Sequence, residues 1–187
     1  MVFLRCRGGR IATALAACGL GLGVVRSAAA QPTLENDVKA VFLYNFTKFI
    51  DWPAPAAPQP GAFRVCVLAD ADFAQAVDRT IAGETVDGRP LERLEPQSPD
   101  QVRSCGILYV GRSHTERSAR FIAAARNLPV LTVGEGSAFL QQGGAIGFVL
   151  DNNRVRFDIN VAATQRSGLR VSSKLLRVAR SVDGTAP

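Results

Sequence analysis

Apolar residues recur at spacings of three and four over residues 34–52, where Val38, Val41, Phe42, Phe46, Phe49 and Ile50 alternate with Glu35, Asp37, Lys39 and Lys48. This period predicts an amphipathic helix with those apolar residues on its buried face. Trp52-Pro53 ends it, and Pro53, Pro55, Pro58 and Pro60 then block helix and strand pairing alike, so Ala54 to Pro60 reads as a linker.

Beyond the linker the pattern alternates in type. It predicts a strand over 63–69, a helix over 72–82 that buries Phe73, Ala76, Val77 and Ile81, a strand over 89–95, a Pro-flanked turn and a strand over 105–111. A further helix follows, with Ser113 as its cap, Glu116 completing a capping box, and Phe121 and Ile122 on its buried face. A strand over 129–133 comes next. Such alternation predicts an α/β fold: a single compact domain with a mixed, mostly parallel sheet and helices on both faces.

The habit changes near the end of the chain. Residues 145–150 and 154–159 are apolar or alternating and are joined by Asp151-Asn152-Asn153, which predicts a C-terminal antiparallel hairpin. Its second strand alternates Arg154, Arg156 and Asp158 with Val155, Phe157 and Ile159, so one face is expected to be polar and wet. Helices over 160–167 and 172–180 close the prediction, and no internal repeat is visible.

The first 30 residues belong to a different pattern. Basic Arg5, Arg7 and Arg10 precede an uncharged run of 15 residues, Ile11 to Val25, and the small residues Ala28-Ala29-Ala30 follow. This is the layout of a secretory signal peptide, and the run falls short of the roughly 20 apolar residues that a spanning helix needs. Residues 1–30 are therefore expected to be an export signal and residues 31–187 a single periplasmic domain with no membrane span. Leu15-Ala16-Ala17-Cys18-Gly19 also resembles a lipoprotein box that would acylate Cys18, but the apolar run continues past the cysteine to Val25, which favours cleavage after Ala30. Removal of the signal takes four of the 22 basic residues and none of the 16 acidic ones, so the formal net charge falls from +6 to +2. The charge of a nearly neutral domain of 157 residues gives no support to nucleic acid as a partner, since that would need a clustered basic face, and none is expected.

The candidate chemistry is sparse. Cys66 and Cys105 are the two cysteines beyond the signal, in a compartment where disulfides persist; they permit one bridge, or each is a small apolar residue in a buried strand. Two cysteines and the single histidine, His114, have neither the number nor the spacing for zinc, and no metal or cofactor is expected. Gly134-Glu135-Gly136-Ser137 follows a strand as phosphate-cradling loops do, but it lacks a third glycine and a Lys-Ser/Thr pair, and Ser137 as a helix cap explains it. His114 inside a capping box is a poor catalytic base, and no nucleophile elbow accompanies it. Asp70 and Asp72 stand where open α/β sheets bind ligands, although turn and capping chemistry explains them as well. The residues hold no catalytic set, and a binding protein rather than an enzyme is expected.

Three segments together resemble one family: residues 38–53 (Val38-Lys39-Ala40-Val41-Phe42-Leu43-Tyr44-Asn45-Phe46-Thr47-Lys48-Phe49-Ile50-Asp51-Trp52-Pro53), residues 105–111, and Val155 to Asn160 running into Val171-Ser172-Ser173-Lys174-Leu175-Leu176. The sequence is similar to the YfiR-like periplasmic proteins. The resemblance implies a self-associating α/β domain that binds the periplasmic part of an inner-membrane diguanylate cyclase, or a sensor kinase, and holds it inactive. It also implies that Cys66 and Cys105 match a family disulfide, while a second downstream cysteine pair known in the family is absent here. The residues expected to meet the partner are Arg156, Asp158, Arg170, Lys174 and Leu175. The competing expectation is a periplasmic small-ligand binding protein, or a sensor accessory to a transporter or histidine kinase, using the strand ends near Asp70 and Gly134.

Overall fold

The opening helix forms with Phe46 of the expected stripe buried and Phe42 and Phe49 packed against the core, but Lys39 turns inward and Val41 outward. In the computed structural model, which describes residues 30–53 and 61–183, α1 (Ala30–Phe49) buries Lys39, Ala40, Leu43, Phe46 and Thr47, while Val41 is 48% exposed. Ring packing decides this orientation. Phe46 lies 6.0 Å from Phe148 and 5.3 Å from Phe157 between centroids, and Phe42 lies 5.3 Å from Phe157. Aromatic contacts at these separations outweigh the exposure of one valine. The export signal, with its alternative acylation at Cys18, and the proline linker lie outside the described residues, apart from Ala30.

After α1 the elements are β1 (Ile50–Asp51), β2 (Phe63–Leu68), α2 (Ala71–Ile81), β3 (Thr85–Val86), β4 (Arg89–Leu94), β5 (Ile107–Val110), α3 (Thr115–Ala125), β6 (Leu131–Glu135) and α4 (Gly136–Gln141). The chain continues through β7 (Ile146–Asp151), β8 (Arg154–Asn160), α5 (Val161–Arg166), β9 (Arg170–Val171), α6 (Ser173–Val178) and β10 (Ser181–Asp183). A 3-10 helix over Pro99–Ser104 replaces the expected turn before β5. The main sheet has the strand order β10-β8-β7-β6-β5-β2-β4-β3. Strands β4, β2, β5, β6 and β7 run parallel, β8 returns antiparallel to β7, and β10 lies parallel to β8. This is an α/β fold with a mostly parallel sheet and a C-terminal hairpin, as the alternation of periods predicts.

Strand β2 shows why the sheet needs cover on both faces. Phe63, Val65 and Val67 enter an apolar cluster with residues of α1, α2, β7 and β8, and Cys66 and Leu68 enter a second cluster with Val102, Phe121, Ile122 and Phe139. Strands buried on both faces read as near-continuous apolar runs, as Ile107–Val110 does. Cys66 and Cys105 are bonded, with their Cα atoms 5.7 Å apart, tying β2 to the segment that enters β5. In the hairpin, Asn152 (φ 48°) and Asn153 (φ 59°) both take positive φ, as a two-residue primed turn requires.

Two capping expectations are corrected. Position 114, not Ser113, precedes α3, and no side chain caps that helix; the Ser113 hydroxyl instead donates to Asp70 Oδ1 at 2.8 Å. Ser137 lies inside α4, which begins after Glu135. The flanking Gly134 serves packing: a Cβ there would come within 2.3 Å of the Phe139 ring, which also covers Gly144. The 134–137 segment is thus explained by an aromatic ring seated on two glycines.

Candidate functional site

The chain leaves β2 through α2 towards β4 on one side and leaves β5 through α3 towards β6 on the other. The strand order therefore reverses between β2 and β5. In open α/β sheets the crevice outside the carboxyl ends of such a pair is the usual place for a ligand. A cavity of about 150 Å³ opens here, lined by Glu35, Lys39, Asp70, Phe73, Tyr109, Arg112 and Glu135, with Asn36, Ala69 and Gly111.

Glu135 organises the crevice. It ends β6, and its side chain keeps 6% of its exposure. Oε1 accepts hydrogen bonds from Lys39 Nζ at 2.8 Å and from the Tyr109 hydroxyl. Oε2 has no hydrogen-bond partner, and Arg112 Nε stands 3.5 Å away on a side chain that is 70% exposed. Lys39, with 8% side-chain exposure, is shared between Glu135 and Glu35, the latter at 2.5 Å. Tyr109 stacks on Phe73 with centroids 4.3 Å apart. Burial, then the charge of Glu135, pushes the Tyr109 hydroxyl well above its ordinary value of 10.0, so it stays a donor. At the rim, Ser113 and Asp70 join the segment after β5 to the end of β2.

Of this constellation the sequence singles out Asp70 and, within the Gly134-Glu135-Gly136-Ser137 segment, Glu135, but it gives the Glu135 carboxylate no role of its own. Glu135 is visible in the sequence as an acid that ends an apolar strand. Lys39 is visible as a charge in register with Leu43 and Phe46 on the helix. What joins them is the sheet, because 96 residues separate the two.

The expected partner-binding residues fall in different places. Arg156, Arg170 and Lys174 are exposed. Arg154 and Arg156 make the expected wet face of β8, but Asp158 is 4% exposed, which corrects the expectation at that position. Its carboxylate is held by Arg180 through Nε at 2.9 Å and through Nη2, and this contact raises the guanidinium above its ordinary range. Leu175 is also 4% exposed and packs in the cluster that contains Phe157. Because side chains alternate along a strand, Arg156 projects from the face of β8 opposite Phe157, whereas α6, which carries Lys174, packs on the Phe157 side. The five residues do not make one surface.

A family model described as YfiR/HmsC-like matches residues 36–180, which takes in α1 from its second turn to the end of α6. The chain belongs to this family. YfiR/HmsC-like proteins are periplasmic regulators rather than enzymes, and the Cys66–Cys105 bond agrees with an oxidising compartment. No helix among the described residues is long and apolar enough to cross a membrane. Among solved structures, the fold is similar to that of a conserved domain protein from Vibrio cholerae, with a TM-score of 0.53 and 11% identity, covering 79% of this chain and 60% of that one. The YfiR/HmsC-like chain thus spans about 60% of that protein's length. A weaker likeness, with a TM-score of 0.48, 12% identity and coverage of 65% of this chain and 55% of the other, is to the ABC domain in complex with L-Trp from Streptococcus pneumonia.

Proposed function

We propose that this protein is an exported repressor that binds the periplasmic domain of an inner-membrane diguanylate cyclase and holds that enzyme inactive. The family match over residues 36–180 carries this reading. The repressor must bind the inactive form of the cyclase more tightly than the active one; reversing a 1:99 ratio takes about 5.5 kcal/mol of difference. A few well-buried anchors in an interface can supply that. Arg156, Arg170 and Lys174 are exposed and offer charges for such contacts, whereas Asp158 and Leu175 act by holding β10 and α6 in place. Deletion of the protein is expected to raise cellular cyclic-di-GMP, and affinity capture from solubilised membranes to retain a cyclase. Unchanged cyclic-di-GMP with no cyclase or sensor kinase captured would reject the proposal.

One observation favours a second reading, that the same domain binds a small ligand: the crevice at the strand reversal holds a buried carboxylate oxygen without a hydrogen bond. Saturable binding of a small molecule, seen as shifts of the backbone amides of Gly111 and Glu135, tests it.

A further inference from the structure

Buried polar atoms in folded proteins are hydrogen-bonded with few exceptions, so an unpartnered one at the floor of an open cavity marks where an occupant donates. Glu135 Oε2 is buried without a hydrogen bond, and Glu135 is one of the residues that line the cavity. Its sister oxygen is already committed to Lys39 and Tyr109, which fixes the carboxylate plane and leaves Oε2 facing Arg112 at 3.5 Å, beyond a good charge-assisted hydrogen bond.

We propose that the crevice binds the primary ammonium group of a small organic cation, with Glu135 Oε2 as the acceptor. This rests on the small-ligand reading and is independent of repression. Three features select a cation. The lining carries three carboxylates, Glu35, Asp70 and Glu135, against two basic groups, Lys39 and Arg112, so it is net negative. The Phe73 and Tyr109 rings, stacked on each other, give the lining an apolar wall against which the alkyl body of such a cation can lie. Arg112 is 70% exposed and loosely held, so an ammonium group can replace it at Oε2 while the guanidinium moves into water. A bare metal ion is a poorer occupant, because among the described residues no group of three His, Cys, Asp or Glu side chains is placed to ligate one. A cavity of about 150 Å³ sets the size at a few heavy atoms.

The test titrates the purified protein with four probes at equal ionic strength: propylammonium, 1-propanol, propionate and tetramethylammonium. It follows the backbone amides of Gly111, Arg112 and Glu135 by NMR. Propylammonium is expected to give saturable shifts, and the other three none. Glu135→Gln should abolish the response. Arg112→Ala alters only an exposed side chain, so it leaves the fold intact should Glu135→Gln fail to fold, and it is expected to tighten propylammonium about threefold by removing a competing surface charge. Propionate binding that disappears in Arg112→Ala would overturn the cation assignment and leave the small-ligand reading standing. No saturable shift with any probe would overturn both.

Discussion

Lys39, in the first helix, donates to Glu135, at the end of the strand β6, over 2.8 Å, with both side chains at 8% exposure or less. Two buried opposite charges in contact are costly to separate, because removing one leaves the other in a medium that cannot solvate it. Lys39→Met is therefore expected to lower the unfolding free energy by about 3 kcal/mol, read from the midpoint of a urea titration at an unchanged slope. A loss under 1 kcal/mol would show that water already reaches the pair.

The Tyr109–Glu135 contact predicts a specific pH response. The folded-state tyrosine titrates above its ordinary value of 10.0, so the folded protein holds the phenolic proton more tightly than the unfolded chain does. Its contribution is complete below about pH 10 and is lost as the pH rises through the folded-state value. Stability should fall on the alkaline side, and Tyr109→Phe should flatten that fall while lowering stability at neutral pH. An alkaline limb identical in both proteins would assign the effect elsewhere.

The Cys66–Cys105 bond closes a loop with a sequence separation of 39 residues. On the chain-entropy account such a loop stabilises the fold by about 4 kcal/mol. Reduction under native conditions should lower the thermal midpoint, and the protein expressed as residues 31–187, denatured but not reduced, should show no reactive thiol. Two titratable thiols would mean that the bridge does not form in the cell.

Asp158→Asn removes the charge that holds Arg180, the residue just before β10. Faster amide exchange is expected across residues 181–183, with a loss of about 1–2 kcal/mol. Arg156→Ala, on the same strand but exposed, should leave both unchanged. This pair separates a structural role from a docking role on one strand.

If repression uses the exposed basic residues, charge reversal discriminates between the two sides of the sheet. Arg170→Glu with Lys174→Glu tests the side that carries β9 and α6, and Arg156→Glu tests the other. The set that raises cyclic-di-GMP while keeping the wild-type thermal midpoint identifies the docking face. If neither set does, the partner contacts other residues.

Much of the fold was legible along the chain because its signals are local. The apolar runs at Val65–Leu68 and Ile107–Val110, the amphipathic period of α2 and the Asp151-Asn152-Asn153 turn each state their own conformation. The short strands β1, β3, β9 and β10 were not legible. Two or three residues carry no periodicity, and their backbones become strands through pairing with partners such as Arg170–Val171 or Asp158–Asn160. The resemblance carried the family, and the family match over residues 36–180 agrees with it.

By itself, then, the sequence determined the alternation of strands and helices, the hairpin and the family, since each depends on residues close together or on patterns that survive in order. Tertiary structure alone decided that α1 turns Lys39 inward, that Asp158 is buried against Arg180, and that Lys39, Tyr109, Arg112 and Glu135 meet at one crevice. The reason is physical. Which face of a helix is buried depends on the rings it packs against, and a charge's role depends on the distant group the sheet brings to it.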